Sequence, residues 1–330
     1  MIKYSLLALA LAVGCKSAGV TEPATSLDDF AAHLERLRSE EHIHTLSAAI
    51  VKDQSIAWTR SFGDGVAGGT TDTTSFHLAS LTKPLASTVI LQLVDEGKVS
   101  LDDAVSKYGI TFTNSAVLVR HLMSHTSEGV PGAQYSYNGN RFALLDSVIV
   151  RATGKSVAAA IHERIIAPLA LRHTAPALQS VSLAPGFTWN GDRFVATAYE
   201  SHFSSAAGLT SSARDYATFM MAMDRDAFLK PATRTLAYTA AVGPNGQTFP
   251  YGLGWFVTDY KGVRVIWHYG LWTASSTLVI KVPSEGLTFI LFANTDGLSA
   301  KYPLAMGRLE SSPWAREFLE TFVIAKVPLD

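Results

Sequence analysis

The stretch FHLASLTKPLASTVILQLV, residues 76–94, carries one lysine in an otherwise uncharged run. From Leu78 to Val94 the other residues are apolar or small and uncharged, except Gln92. Such a run predicts a helix buried on nearly all sides. A lone buried ammonium is costly unless it is paired or sheds its proton. Lys83 therefore needs a reason to be there. The nearest candidate is Ser80, one helical turn earlier and on the same face.

A serine hydroxyl is a poor nucleophile until a base takes its proton, and a lysine whose pKa is lowered by burial can be that base. Pro84 places the pair in the first helical turn, since proline is tolerated there but not deeper. The positive helix end favours an alkoxide and disfavours an ammonium. The spacing alone leaves a second reading equally open: a helix N-terminus whose lysine snorkels to solvent.

Around this segment the chain is ordinary. It has 330 residues, 48% hydrophobic and 17% charged, with net charge −1. That supports a large core and one large domain or two interleaved ones. No basic block is long enough to follow a phosphate backbone, which argues against nucleic-acid binding. The N-terminal MIKYSLLALALAVGCKSAG has one early lysine, a short apolar run and then Cys15, the only cysteine. The run is too short to span a bilayer and reads as a secretory signal over residues 1–15. LAVGC resembles a bacterial lipobox, which implies lipidation at Cys15, a tether over residues 16–25 and a place in the cell envelope, held to the membrane only by the anchor. A plain signal peptide with an incidental cysteine is the competing reading.

Ser26 to Arg38 has apolar residues at helical spacing after a Ser/Asp start. TLSAAIVKD and SIAWTRSF read as two strands around a turn at Asp53 and Gln54. From Leu101 to Ala170 the patterns are mostly helical, including SAVLVRHLM, RFALLDSVIVRAT and SVAAAIHERII. Residues 174–208 read as Gly/Pro/Ser-rich loop, and TSSARDYATFMMAM as a capped helix. LGWFVTD, VRVIWHY, SSTLVIKV and LTFILFAN, separated by turn residues, predict an antiparallel meander, and SSPWAREFLETFVIAKV a closing helix. The expected fold class is α+β. One antiparallel sheet is built from both chain ends and flanked by helices (residues 26–76 and 206–330). A mainly helical lobe (residues 77–205) is inserted, with a site in the cleft between the lobes.

Further segments recur in a telling order. FHLASLTKPLASTVILQLVDEGKVSLDDAVSKY is followed by VRHLMSHTSEGVPG, YSYNGNRFALL, AAGLTSSARDYATFMMAM, YGLGWFV and WHYG. Over residues 27–297 this series resembles the serine β-lactamase and penicillin-binding-protein superfamily. It looks most like the class C-related branch, which also holds D-amino-acid peptidases and carboxylesterases. VRHLMSHTSEGVPG resembles that branch's LLxHTSGLP segment, YSYNGN its tyrosine-containing second box, and WHYG its third box, written H-x-G in many relatives instead of K-T-G.

The resemblance implies roles residue by residue. Ser80 matches the acylated nucleophile, and Lys83 the lysine that accepts or steers its proton. Tyr137 matches the second-box tyrosine, a base as phenolate or through Lys83 for acylation and for the deacylating water. His268 matches the first position of the third box. It would hold the Tyr137 proton network or a substrate carboxylate or carbonyl. The oxyanion hole would be the backbone N–H groups of Ser80 and Leu271, the latter following Gly270. The alternatives are a core aromatic for Tyr137, with Tyr135 as its rival, and an ordinary strand-end histidine for His268.

Two departures bear on substrate. The second box is normally Y-x-N, but Gly139 holds the third position and Asn138 comes one place early. Either Asn138 takes over the contact to the lysine and the substrate's acyl amide, or that contact is lost. SEGVPG also runs almost directly into AQYSYNG, which implies less loop over the cleft. The expected function is a serine hydrolase working through an acyl-enzyme, without cofactor or metal. Its partner would be a small-molecule or peptidoglycan-like acyl substrate, an ester ahead of a D-amino-acid peptide and a lactam. The rival is a non-catalytic lipoprotein that binds cell-wall fragments on the same fold. A metal hydrolase is the poorest fit. His42 and His44 in HIH, and His121 with His125 at helical spacing, stand in no H-E-x-x-H pattern.

Overall fold

The computed structural model describes residues 22–63, 69–114, 116–176, 178–179 and 182–329. The expected signal segment, Cys15 and most of the tether lie outside the described residues. Helix α1 (Leu27–Glu40) starts at Ser26, whose side chain accepts the Asp29 N–H, with Asp28 and Asp29 at its positive end. Strands β1 (Thr45–Lys52) and β2 (Ser55–Gly63) form a hairpin around Asp53 and Gln54, at φ 47° and 68°. Two left-handed residues give the turn a twist that matches its strands. Strand β3 (Ser75–His77) leads into a 3-10 turn, Ala79–Thr82, and then α2 (Lys83–Asp95).

The middle of the chain holds α3 (Val119–Met123), α4 (Gly139–Ala143), α5 (Leu145–Thr153) and α6 (Val157–Ile161). Short strands follow: β4 (Ala175–Pro176), β5 (Phe187–Trp189), β6 (Phe194–Ala196) and β7 (Leu209–Ser212). Then come α7 (Ala213–Asp224) and α8 (Pro231–Ala237). The meander is β8 (Phe256–Tyr260), β9 (Val263–Trp272), β10 (Ser275–Val282) and β11 (Leu287–Ala293), and α9 (Pro313–Phe318) closes the chain.

The main sheet has six strands in the order β2-β1-β11-β10-β9-β8. Every neighbouring pair is antiparallel, so strands from both chain ends do share one sheet. Alternation sorts the side chains onto two faces. Leu46, Ala48, Ile50, Leu278, Ile280, Phe289 and Leu291 pack with Phe30, Leu34, Trp314 and Phe318 of α1 and α9. Ala49, Val51, Val279, Ile290 and Phe292 turn the other way. They join a core containing Leu85, Val89 and Ile90 of α2, Ile149 of α5 and Tyr216 and Phe219 of α7. With both faces covered, the strands read as near-continuous apolar runs.

Several local expectations shift. SAVLVRHLM is helical only from Val119, because Leu118 is extended (φ −104°, ψ 163°) and its N–H donates to His121 Nδ1. The expected loop over residues 174–208 contains β4 and the β5–β6 hairpin. That hairpin is held by stacking: His42 lies on Trp189 and His44 on Phe187, with ring centroids 4.3 and 3.9 Å apart. The HIH segment thus packs against aromatics. Among the described residues no helix is long and apolar enough to cross a membrane, and no cluster of three or more His, Cys, Asp or Glu side chains could hold a metal.

Candidate active site

Ser80 lies in the 3-10 turn and Lys83 opens α2. In a 3-10 turn residues i and i+3 eclipse, so the two side chains stand over one another. Lys83 Nζ is hydrogen-bonded to Ser80 Oγ at 2.8 Å and donates to the Ala206 carbonyl at 3.0 Å. Lys83 is fully buried while Ser80 is partly exposed. Lys83 makes no ion pair among the described residues, and Nζ lies over the rings of Tyr137 and Phe142, 5.1 and 5.4 Å from their centroids. Burial without a counter-charge lowers its pKa from the ordinary 10.5 to about 7. A lysine that is neutral near pH 7 can accept the serine proton.

The turn is strained where it presents the serine. Ala79, just before Ser80, sits at φ 47°, a left-handed conformation that costs a non-glycine residue about 1–2 kcal/mol. Gly254 of YGLGW lies against α2, where a Cβ would come 2.1 Å from Ser87 Oγ. A larger residue there would push α2, and Lys83 with it.

Tyr137 reaches the same place from the segment before α4. Its ring stands 4.3 Å from that of His125, and its hydroxyl oxygen is buried. No partner reaches full hydrogen-bond geometry to it. Burial dominates and raises the Tyr137 pKa well above 10. A phenolate is therefore disfavoured before substrate enters. The rival Tyr135 is engaged elsewhere, donating to the Ala305 carbonyl at 2.8 Å.

Asn138 is engaged locally. Its Oδ1 accepts the Arg141 N–H as the N-cap of α4, and its Nδ2 donates to Glu128 at 2.6 Å. Among the described residues no hydrogen bond joins it to Lys83. Gly139, at the box's third position, has nothing within 4 Å of where a Cβ would stand.

His268 also sits differently from expectation. It is fully buried and its two ring nitrogens are engaged. A carbonyl can only accept, so Nδ1–H donates to Tyr269 O at 2.7 Å and Nε2 accepts from the Tyr251 hydroxyl at 2.8 Å. Burial, with Lys83 nearby, holds its pKa well below 6.5, so the ring is neutral. No hydrogen bond links it to Tyr137 and no nitrogen is left for a substrate carboxylate. Sequence reasoning gave Tyr251 no role, although YGLGWFV marked its segment; it also missed the Ala206 carbonyl, a backbone contact that no side-chain pattern announces.

His125 is not on a helix with His121, because α3 ends at Met123 and His125 has φ 56°. Its carbonyl accepts the Ser136 N–H and its Nδ1 the Asn138 N–H. It ties the SHTS turn to the tyrosine segment.

The strand register places the Leu271 amide. Two-residue turns at 261–262 and 273–274 join β8 to β9 and β9 to β10, with Tyr260 opposite Val263 and Trp272 opposite Ser275. Those turn-flanking residues form the hydrogen-bonded pairs. By alternation the backbone groups of 264, 266, 268 and 270 point to β10, and those of 269 and 271 point to the β8 side. Pairing with β8 ends at Trp267. The Leu271 N–H therefore emerges from a free edge, and Leu271 is 39% exposed. The first N–H groups of a helical turn, that of Ser80 among them, have no partner inside the turn. Between the two, Gly270 allows close approach: a Cβ there would come 2.2 Å from Leu78 O and 2.4 Å from Thr277 Oγ1. A nucleophile, a neutral amine and two amide donors can together carry acyl transfer. A cavity of about 570 Å³ beside Asp95, Arg164 and Lys230 lies elsewhere and holds no nucleophile–base pair.

Comparison with known proteins gives the family of the chain. The chain is 25% identical over 275 residues to penicillin-binding protein 4* of Bacillus subtilis, a match covering 67% of this chain and 61% of that protein. It is 24% identical over 275 residues to the D-aminopeptidase of Brucella canis, covering 72% of this chain and 53% of the relative. It thus spans less than two thirds of the length of either. Among solved structures, the octameric penicillin-binding protein homologue from Pyrococcus abyssi superposes with a TM-score of 0.78 at 20% identity, over 89% of this chain and 78% of that one, which shows the shared fold. The family model described as Beta-lactamase matches residues 30–307, most of the chain, and this protein belongs to that family.

Proposed function

We propose that this protein is a serine hydrolase that acylates Ser80 and then releases the acyl group to water. One observation carries the reading: Ser80 Oγ and Lys83 Nζ are 2.8 Å apart, and the lysine is buried with no acidic partner among the described residues. Neutral Lys83 takes the serine proton as Ser80 attacks the carbonyl carbon. The Ser80 and Leu271 amides receive the developing oxyanion. Tyr137, still protonated, relays a proton between Lys83 and the leaving group, and a water then repeats the sequence on the acyl-enzyme. A non-catalytic binding protein has no need of a buried lysine against a serine.

An ester is favoured over a D-amino-acid peptide or a lactam. The support is local: no asparagine side chain is available at the second box to hold an acyl amide, since Asn138 is committed to Glu128 and Arg141. The relatives include a D-aminopeptidase, which keeps the peptide as the second substrate class. A cell-envelope location through lipidated Cys15 is part of the same proposal. The test is a panel of short-chain p-nitrophenyl esters, a D-alanyl-D-alanine peptide and a chromogenic cephalosporin, run beside fluorophosphonate labelling read by peptide mapping. Label on Ser80 and ester turnover are expected, both lost in Ser80→Ala. Turnover that survives Ser80→Ala would overturn the proposal.

A further inference from the structure

The nucleophile turn is strained at Ala79 and yet must present the Ser80 amide accurately, so something has to hold it. The carbonyls of the three residues before Ser80 each accept a buried hydroxyl. Ser275 Oγ donates to His77 O, Thr277 Oγ1 to Leu78 O at 3.1 Å, and Thr82 Oγ1 to Ala79 O at 2.8 Å. All three hydroxyl residues are essentially inaccessible. We propose that Ser275, Thr277 and Thr82 are positioning residues that set the oxyanion hole, by fixing the peptide planes that lead into Ser80 against the β9 edge that carries Leu271. The inference rests on Ser80 being the nucleophile.

The strand pattern makes the arrangement specific. Ser275 pairs with Trp272, Thr277 with Gly270 and Val279 with His268, so these residues share the face turned toward the nucleophile turn. Ser276, between them, faces away; its hydroxyl donates to Thr295 O at 2.6 Å and accepts the Leu298 N–H. Thr277 also sits where a Cβ on Gly270 would have to go, at the tightest point between β9 and the turn. Thr82 holds the carbonyl of the very peptide whose N–H, on Ser80, is the oxyanion donor. A hydrogen bond to that carbonyl polarises the amide as well as orienting it. Removing one of these hydroxyls leaves the reacting groups present but lets the turn relax around Ala79.

The experiment compares Thr277→Val, Thr277→Ser and Ser275→Ala with the opposite-face control Ser276→Ala. For each variant kcat and KM are measured on a p-nitrophenyl ester, with the rate of fluorophosphonate reaction at Ser80 and the Tm. A phosphonyl oxygen must enter the oxyanion hole, whereas ground-state ester binding depends on it much less. We expect Thr277→Val to lower kcat and the phosphonylation rate by about 10- to 100-fold, with KM within about 2-fold, the scale of a misplaced oxyanion donor. Ser275→Ala should act in the same direction, and Thr277→Ser should restore most of kcat. Ser276→Ala should lower Tm while keeping kcat. Unchanged kcat in both Thr277→Val and Ser275→Ala overturns the inference, as does an equal loss in Ser276→Ala. If Ser80→Ala is inactive while these variants are normal, only the positioning role falls; if Ser80→Ala stays active, the nucleophile assignment falls first.

Discussion

Lys83 stands 2.8 Å from Ser80, and among the described residues no carboxylate is bonded to it. A pH dependence follows, because burial brings its pKa down from 10.5 to about 7. Below pH 7 the amine carries a proton and cannot accept one from Ser80. Ester kcat/KM should therefore rise with pH through about 7 and level off above it. Lys83→Arg keeps the charge but cannot lose its proton in this range, so it should be inactive at every pH tested. A flat profile between pH 5.5 and 8.5, or an active arginine variant, would show that only a positive charge is needed beside the serine.

The same lysine should cost stability, with a sign fixed by linkage. Its folded pKa is lowered, so between about 7 and 10.5 the unfolded chain binds more protons than the folded one, and folding becomes more favourable as pH rises. Below about 7 both states are protonated and the cost of burying the charge is present in full. Lys83→Met fills similar space without the charge. The variant should be inactive yet have a higher Tm than the parent. The difference should be widest at pH 6–7 and narrow toward pH 10. A Tm difference that stays constant from pH 6 to 10 would count against a lysine neutralised by burial.

Tyr137 and Tyr135 provide a paired test. Tyr137→Phe keeps the ring against His125 and removes a hydroxyl that has no fixed partner. Activity should fall by roughly 10²- to 10⁴-fold, the usual worth of proton-transfer help, with little change in Tm. Tyr135→Phe removes a bond to the Ala305 carbonyl instead. It should lower Tm slightly and leave kcat near normal. Thermal melts and ester kinetics on the two variants decide the matter, and the reverse pattern would move the proton relay to Tyr135.

What could be read in advance divides along physical lines. Ser80 and Lys83 were visible because one turn of helix brings residues three apart together, and that relation is local. The six-stranded sheet was visible because SSTLVIKV and LTFILFAN carry strand residues between clear turns. The β5–β6 hairpin was hidden, since three-residue strands leave no periodicity and His42 and His44 stack on it from far along the chain. The use of Asn138 was open for a related reason: an asparagine ahead of a helix is a good N-cap, and that local use of its side chain competes with a long-range contact to Lys83. His268 was found by its box, but which partners would take its nitrogens depended on where Tyr251 came to rest.

Gly139 offers the sharpest test of substrate class. It is the first residue of α4, its φ is not in the left-handed region, and a Cβ there meets open space. Gly139→Asn should therefore fold and restore the Y-x-N spelling. If the missing amide contact limits peptides and lactams, kcat/KM for a cephalosporin or a D-alanyl-D-alanine peptide should rise, while ester hydrolysis stays level or slows. Asn138→Ala serves as the contrast. It removes an N-cap, worth about 0.5–2 kcal/mol, and leaves Glu128 without that partner, so it should lower Tm while ester kcat changes little. The measurements are kcat/KM for one ester and one cephalosporin in the parent and both variants. A large loss of ester turnover in Asn138→Ala at unchanged Tm would mean that Asn138 leaves its cap to engage substrate. Amide substrates that gain nothing in Gly139→Asn would show that the ester preference is set elsewhere in the cleft.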